Sequence, residues 1–210
     1  SFKNILQNFF RLRNFNFFIL NFFTKNNYYF HSIYLKNKFE LIKLNLKLKN
    51  FPYIRLLDLK VKDEKKFDKT LRNKFFEKLK KKLDIKNEDT YESLIVDLIY
   101  HMFPRCYLEN FEDNDKYSQQ VFQLHSPKII VDSVSYHKDE LFKFWLARKI
   151  QKDSKLILLQ HGGNYENFKI KGDYLHHELD VADKYLSWGW KKKFYNVVSM
   201  PCQIPFKKKN

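Results

Sequence analysis

The run Gln160-His161-Gly162-Gly163-Asn164-Tyr165 holds the densest set of chemically capable residues in this 210-residue chain. An unperturbed imidazole titrates at about 6.5, so His161 can act as a general base or as a donor to a phosphate or leaving group. Paired glycines expose backbone N–H groups with no Cβ in front of them, which suits close approach to an anion. Gln160, Asn164 and Tyr165 supply hydrogen-bonding side chains around the same turn. A tight strand-to-loop connection also uses Gly-Gly, and a satisfied structural histidine is the plain alternative for His161. Placement favours function. The turn directly follows the apolar run Leu156-Ile157-Leu158-Leu159, and open parallel sheets bind ligands outside the carboxyl ends of their strands.

A second polar cluster follows at His176, His177 and Glu178. Glu178 is a candidate catalytic or sugar-binding carboxylate and His177 a candidate substrate contact, with surface solvation as the competing reading. Together with His161 they offer nitrogen and oxygen donors. Adjacent His-His-Glu has no recognised ligand spacing, so neither a metal nor another cofactor is expected. Asp173 and Asp183 read as local caps. In Ser187-Trp188-Gly189-Trp190, Trp188 can stack on a sugar or base, or the two indoles can seal the core beneath the loop. Tyr107-Leu108-Glu109 and Asp132-Ser133 are expected near the same edge if the strand order is conventional.

The elements that must hold these residues begin after Pro127. Lys128–Ser133 and Lys155–Gln160 are short, β-branched or leucine-rich runs, as in strands buried on both faces. Between them, Asp139–Gln151 reads as a helix with Leu141, Phe144, Trp145 and Ala147 inward. Strand, helix and strand at this spacing predict a right-handed parallel crossover. Asp183–Trp188 and Asn196–Met200 add further strands. Upstream, Phe2–Phe23 is read as helical. Leucines alternating from Leu44 predict a half-buried strand within Glu40–Lys49. Phe67, Leu71, Phe75, Leu79 and Leu83 recur every four residues and predict an amphipathic helix over Glu64–Leu83. Thr90 caps a helix running to Met102, which Pro104 stops. The polar stretch Glu109–Lys116 reads as a loop or helix end.

Composition sets the outer bounds. With 22 Phe, 13 Tyr, 4 Gly and 5 Pro, the chain is neither collagen-like nor a disordered linker. Its formal charge of +16 suits anionic substrates, anionic lipid or nucleic acid. Many lysines lie between apolar residues on single faces, as the codon bias of an AT-rich genome would place them, and no nucleic-acid motif accompanies them. Dedicated nucleic-acid binding is therefore not expected. A basic, non-enzymatic module for nucleic acid or an anionic membrane surface is the alternative class. The apolar run Phe15–Phe23 is shorter than the roughly 20 residues a membrane span needs, so a buried or membrane-surface segment fits it better. Cys106 and Cys202 lack CxxC spacing and read as free thiols of a reducing compartment.

Over residues 104–190 the chain resembles the LIC12162 family of transferases of surface-carbohydrate biosynthesis. The resemblance rests on Pro104 with Tyr107-Leu108-Glu109, on Lys128–Ser133, on Trp145-Leu146-Ala147, on LILLQHGGNY at 156–165 and on VADKYLSWGW at 181–190. The family pattern continues with glycine after the Asn-Tyr pair, where this chain has Glu166. The family is similar to two-lobed glycosyltransferases of the GT-B kind. The resemblance implies an α/β fold: a Rossmann-like lobe with a parallel sheet, one half of a GT-B-like architecture, preceded by a mostly helical N-terminal region. The expected division is a helical or mixed region at 1–103, the lobe core at 104–195, and at 196–210 the connection to a second lobe. The chain then reads as part of an enzyme, inactive alone. The enzyme would be cytoplasmic or peripheral at the inner membrane, and would move a sugar or related group from a nucleotide-activated donor to a glycan or lipid-linked acceptor. His161 and Glu178 would be catalytic. Gln160, Gly162, Gly163, Asn164, Tyr165, His177 and Trp188 would bind substrate.

Overall fold

The computed structural model describes residues 27–35, 38–50, 60–85, 90–122, 126–163 and 173–202. Five parallel strands form one sheet in the order β1-β2-β3-β4-β5: β1 (Tyr28–Phe30), β2 (Ile129–Asp132), β3 (Lys155–Leu159), β4 (Lys184–Trp188) and β5 (Val197–Met200). The expected α/β class with a Rossmann-like parallel sheet is what the chain forms. The contiguous apolar runs are strands because both faces of a parallel sheet are covered. Ile130, Leu156, Leu158 and Tyr185 are accordingly almost fully buried.

The chain divides into two compact units, Leu59–Val121 and the remainder. The sheet belongs to the remainder, with helices α1 (Lys38–Lys47), α5 (Ser135–Lys138), α6 (Glu140–Ile150) and α7 (Asp173–Val181). Trp145 of α6 is fully buried against Tyr29, Phe122 and Phe142, with ring centroids 4.9, 5.1 and 5.7 Å away. Truncating such a ring to alanine costs about 3–5 kcal/mol. Asp139 caps α6 by accepting from the Phe142 N–H at 3.0 Å. The inward residues of α6 include Leu141, Phe144 and Trp145 as expected, but Ala147 is exposed and Phe142 and Leu146 are buried instead.

One strand-level expectation changes. Residues 38–47 form helix α1 rather than a strand. Leu46, which alternation would bury, is 62 % exposed, whereas Leu41, Leu44, Asn45 and Leu48 lie on the covered side at helical spacing. The buried Asn45 side chain donates to Leu41 O and accepts from Asn50. Asn50 also donates to Tyr28 O at 2.8 Å and accepts from Tyr28 N at 3.4 Å, satisfying β1 as a neighbouring strand would. Strand β1 itself carries no sequence signal beyond Tyr28-Tyr29-Phe30. The helix expected over Phe2–Phe23 lies outside the described residues.

The Leu59–Val121 unit contains α2 (Lys69–Lys82), α3 (Tyr91–Met102), a 3-10 turn (Arg105–Tyr107) and α4 (Phe111–Val121). Helix α3 carries its Thr90 cap, which accepts from Ser93 N. Helix α2 starts later than the periodicity predicts, at an Asp68 cap. Its buried residues are Arg72 and Phe76, while Phe67, Leu71, Phe75 and Leu83 are exposed. Arg72 forms a bidentate pair with Glu109 (2.6 and 3.0 Å), and both are nearly fully buried. The guanidinium also donates to the carbonyls of Tyr100 and Phe103. The polar stretch at 109–116 enters helix α4 rather than a loop. Its buried face is Asn114 and Ser118, one helical turn apart and hydrogen-bonded to Lys62, Cys106 and Asp115 backbone.

No helix among the described residues is long and apolar enough to cross a membrane.

Candidate functional site

The strand order runs 1-2-3-4-5 without reversal, so the described sheet has no crevice at a switch of direction. What marks one edge is a concentration of polar side chains just past the carboxyl ends of β2, β3 and β4. Each is fixed by a different device.

Asp132 ends β2 and is fully buried. Its carboxylate accepts from Ser32 N (3.1 Å), just past β1, and from Tyr136 N (2.7 Å) in α5. Burial raises its pKa, with nearby His31 and the backbone donors acting in opposition. This clip sets the short helix α5 against the end of β2 and so positions Tyr136 and His137. The neighbouring Ser133 hydroxyl is buried without a hydrogen-bond partner among the described residues.

Gln160 directly follows β3 and is only 3 % exposed. Its carbonyl oxygen accepts from Trp188 N (2.7 Å) and Trp190 Nε1 (2.8 Å), and its amide donates to Gly162 O (2.6 Å). Three bonds thus tie the glycine turn to the end of β4. This places Gln160 beneath the turn as a positioning residue. Gly189, with φ +87°, has the left-handed backbone that lets Trp190 fold back onto Gln160. Gly163 lies outside that region, and a Cβ added there would meet nothing within 4 Å. Its lack of a side chain leaves open space rather than relieving backbone strain.

Glu178, on α7, is 2 % exposed. Its Oε2 accepts from the Tyr185 hydroxyl (2.9 Å), and Tyr136 hydrogen-bonds the same carboxylate. Burial, and next the Glu178 charge, raise the Tyr136 pKa, so its hydroxyl keeps its proton and donates. Oε1 of Glu178 lies 3.1 Å from His161 Nε2. His137 stands beside this pair, with its ring centroid 5.6 Å from that of His161. Burial, and then the His161 charge, lower the His137 pKa and so favour its neutral form. A buried carboxylate holding one imidazole beside a second imidazole can accept a proton, hold it as imidazolium and return it.

The structure therefore brings His161 and Glu178 together. Gly162 and Gly163 lie on the adjoining turn. Trp188 lies at the end of β4 with its ring half-buried, and its backbone N–H is held by Gln160. His177 is exposed, because successive helical residues point about 100° apart, and its ring stacks near Tyr136 with centroids 6.2 Å apart. Asn164, Tyr165 and Glu166 lie outside the described residues. His137 and Tyr136 complete the cluster unanticipated, since neither belongs to a motif. The available signal was their position shortly after Asp132-Ser133, at the end of a buried strand.

No curated protein and no solved structure matches the chain. The sequence profile of the LIC12162 family transferases matches residues 1–210, which takes in the β3 turn, the α7 carboxylate and the tryptophans of β4 alike. With that match running the whole length of the sequence, the chain belongs to the LIC12162 family of transferases.

Proposed function

We propose that this chain supplies the acid–base wall of a glycosyltransferase-like enzyme of surface-polysaccharide assembly. The observation that carries the reading is the His161–Glu178 pair, 3.1 Å apart at the carboxyl edge of a parallel sheet. In the proposed reaction an acceptor hydroxyl oxygen bonds to the sugar carbon of a nucleotide-activated donor. The bond from that carbon to the diphosphate breaks, and the nucleoside diphosphate leaves. His161 takes the hydroxyl proton, and Glu178 stabilises the resulting imidazolium. The Gly162-Gly163 turn admits the donor's phosphates, and the half-buried Trp188 offers a stacking face for a sugar ring. On this two-lobed reading a second lobe supplies most of the donor site. A glycan or lipid-linked acceptor fits a cytoplasmic enzyme that works at the inner membrane surface.

His161→Ala in the full-length protein tests the reading. Transfer from a nucleotide sugar is lost while the far-UV circular dichroism and melting temperature hold. Retained transfer removes His161 from the chemistry.

A further inference from the structure

We infer that His137, His161 and Glu178 form a binding site for a divalent transition-metal cation of the zinc class. One ring nitrogen from each histidine and one carboxylate oxygen lie within 4.8 Å of one another. Two imidazoles and a carboxylate are a donor set that zinc accepts, with a fourth position left for solvent or a substrate oxygen. The sequence offered no such spacing because the three ligands come from separate elements: α5 after β2, the turn after β3, and α7.

Three features separate this cluster from a chance meeting of polar groups. Glu178 is almost wholly buried, yet one of its oxygens points at an imidazole nitrogen. Its other oxygen is held by the Tyr185 hydroxyl, and Tyr136 adds a further hydrogen bond. Such outer hydrogen bonds are what orient a metal-ligating carboxylate. Both histidines keep part of their surface accessible, so an ion can enter and exchange.

The donor set also selects the kind of cation. The donors it offers are two imidazole nitrogens and one carboxylate oxygen. Mg²⁺ and Ca²⁺, which bind through oxygen ligands and charge, find one carboxylate there among the described residues. Zinc gains from the imidazole nitrogens and does not need a field of carboxylates. A bound cation would replace the direct 3.1 Å contact between His161 Nε2 and Glu178 Oε1. The metal-loaded site and the acid–base dyad are thus alternative states of one constellation.

The test is calorimetric titration of Zn²⁺ into the metal-stripped full-length protein, in a Cys106→Ser, Cys202→Ser background that removes competing thiolates. We expect saturable binding of one Zn²⁺ per chain, weakened at least tenfold by His137→Gln and by Glu178→Gln. Mg²⁺ should give no saturable binding at the same concentrations. Co²⁺ added to the same background should show the visible absorption of nitrogen- and oxygen-ligated cobalt, a readout that needs no substitution at the cluster. His137 is partly exposed, so His137→Gln tests ligation even where Glu178→Gln perturbs folding. Absence of saturable Zn²⁺ binding, equal binding in both variants, or equally tight Mg²⁺ overturns the assignment. Binding is read without turnover. Its absence leaves the acid–base reading standing, and active transfer by the His161→Ala protein would leave zinc binding standing.

Discussion

Replacing Glu178 separates its chemical role from its structural one. Among the described residues its carboxylate meets His161 Nε2 at 3.1 Å, the Tyr185 hydroxyl at 2.9 Å, and Tyr136. Alanine removes all three bonds and strands two tyrosine hydroxyls beside a new cavity. A hydrogen bond to a charged group is worth about 1.5–3 kcal/mol and an unsatisfied buried donor costs about 1–3 kcal/mol. These terms overlap, so Glu178→Ala should destabilise by roughly 3–5 kcal/mol. Glutamine keeps the shape and one acceptor oxygen, and a tyrosine hydroxyl can rotate to accept from the new amide. Its stability cost should be about 1 kcal/mol, the difference between charged and neutral hydrogen bonds. What glutamine cannot do is stabilise an imidazolium. If His161 carries the proton, Glu178→Gln should slow transfer by about 10²–10⁴-fold, the range of general acid–base catalysis. Tyr185→Phe removes one hydrogen bond but keeps the charge, so it should cost similar stability and far less activity. Release of nucleoside diphosphate in the presence of acceptor measures the rate, and urea unfolding measures stability. Transfer by Glu178→Gln within about threefold of the parent, or losses in the glutamine and phenylalanine variants that simply track stability, would refute the dyad.

Two further perturbations probe the scaffold. Arg72→Met leaves Glu109 buried without its guanidinium and should cost about 3–5 kcal/mol in urea unfolding, whereas Arg72→Met with Glu109→Leu should recover most of that loss because no lone charge remains. Burial pushes the Glu109 pKa up, but the Arg72 hydrogen bond, backbone donors and the Arg72 charge together hold it below the ordinary value. A depressed carboxylate pKa contributes stability above the unfolded-state value, near ~4.3, and loses it as pH falls through the lower folded value; the urea midpoint should therefore fall in acid, and less steeply in the double variant. Gln160→Ala removes the partner of Trp188 N, Trp190 Nε1 and Gly162 O, so it should cost about 2–4 kcal/mol and red-shift the tryptophan fluorescence. An unchanged spectrum and stability would show that the glycine turn does not depend on Gln160.

What the sequence disclosed followed from how each element is buried. Strands β2 and β3 could be read because strands covered on both faces need apolar runs, whereas β4 and β5, with Lys184, Ser187 and Ser199 among their residues, showed only short β-prone stretches. Helix α1 imitated a strand, since Leu44, Leu46 and Leu48 alternate while its inward residue between them is Asn45. The helix around Phe67–Leu83 was found, but its face was not. A recurrence of four drifts about 40° per step around an α-helix, so the stripe spirals away from any single neighbour. Its inward residues are Phe76 and Arg72, and no hydrophobic pattern marks the second, because its burial depends on a carboxylate 37 residues away. Helix α4 hid for the same reason: its inward Asn114 and Ser118 are satisfied by hydrogen bonds rather than apolar contact.

The site divides along the same line. A turn directly after an apolar strand is local information, so His161 and Gly162-Gly163 stand out from their own neighbours. Completing the cluster requires knowing which strand lies beside which. Strand β2 pairs with β3 in a register that sets Asp132 opposite Leu158. The chain leaving β2 therefore emerges next to the chain leaving β3, and the Asp132 carboxylate holds Tyr136 N so that α5 forms at that level. His137 reaches His161 through this register. Glu178 reaches it through α7, fixed by the Tyr185 hydroxyl from β4 on the opposite side of β3. Each polar group would cost free energy if buried alone, and each is satisfied by a group from a different segment. A single-residue slip of β2 against β3 would turn Asp132 to the other face of the sheet, release α5 and withdraw His137. The chemistry of this edge thus depends on strand pairing as much as on the Gln-His-Gly-Gly motif, and substitutions that disturb the β2–β3 register should impair the site without touching any of its residues.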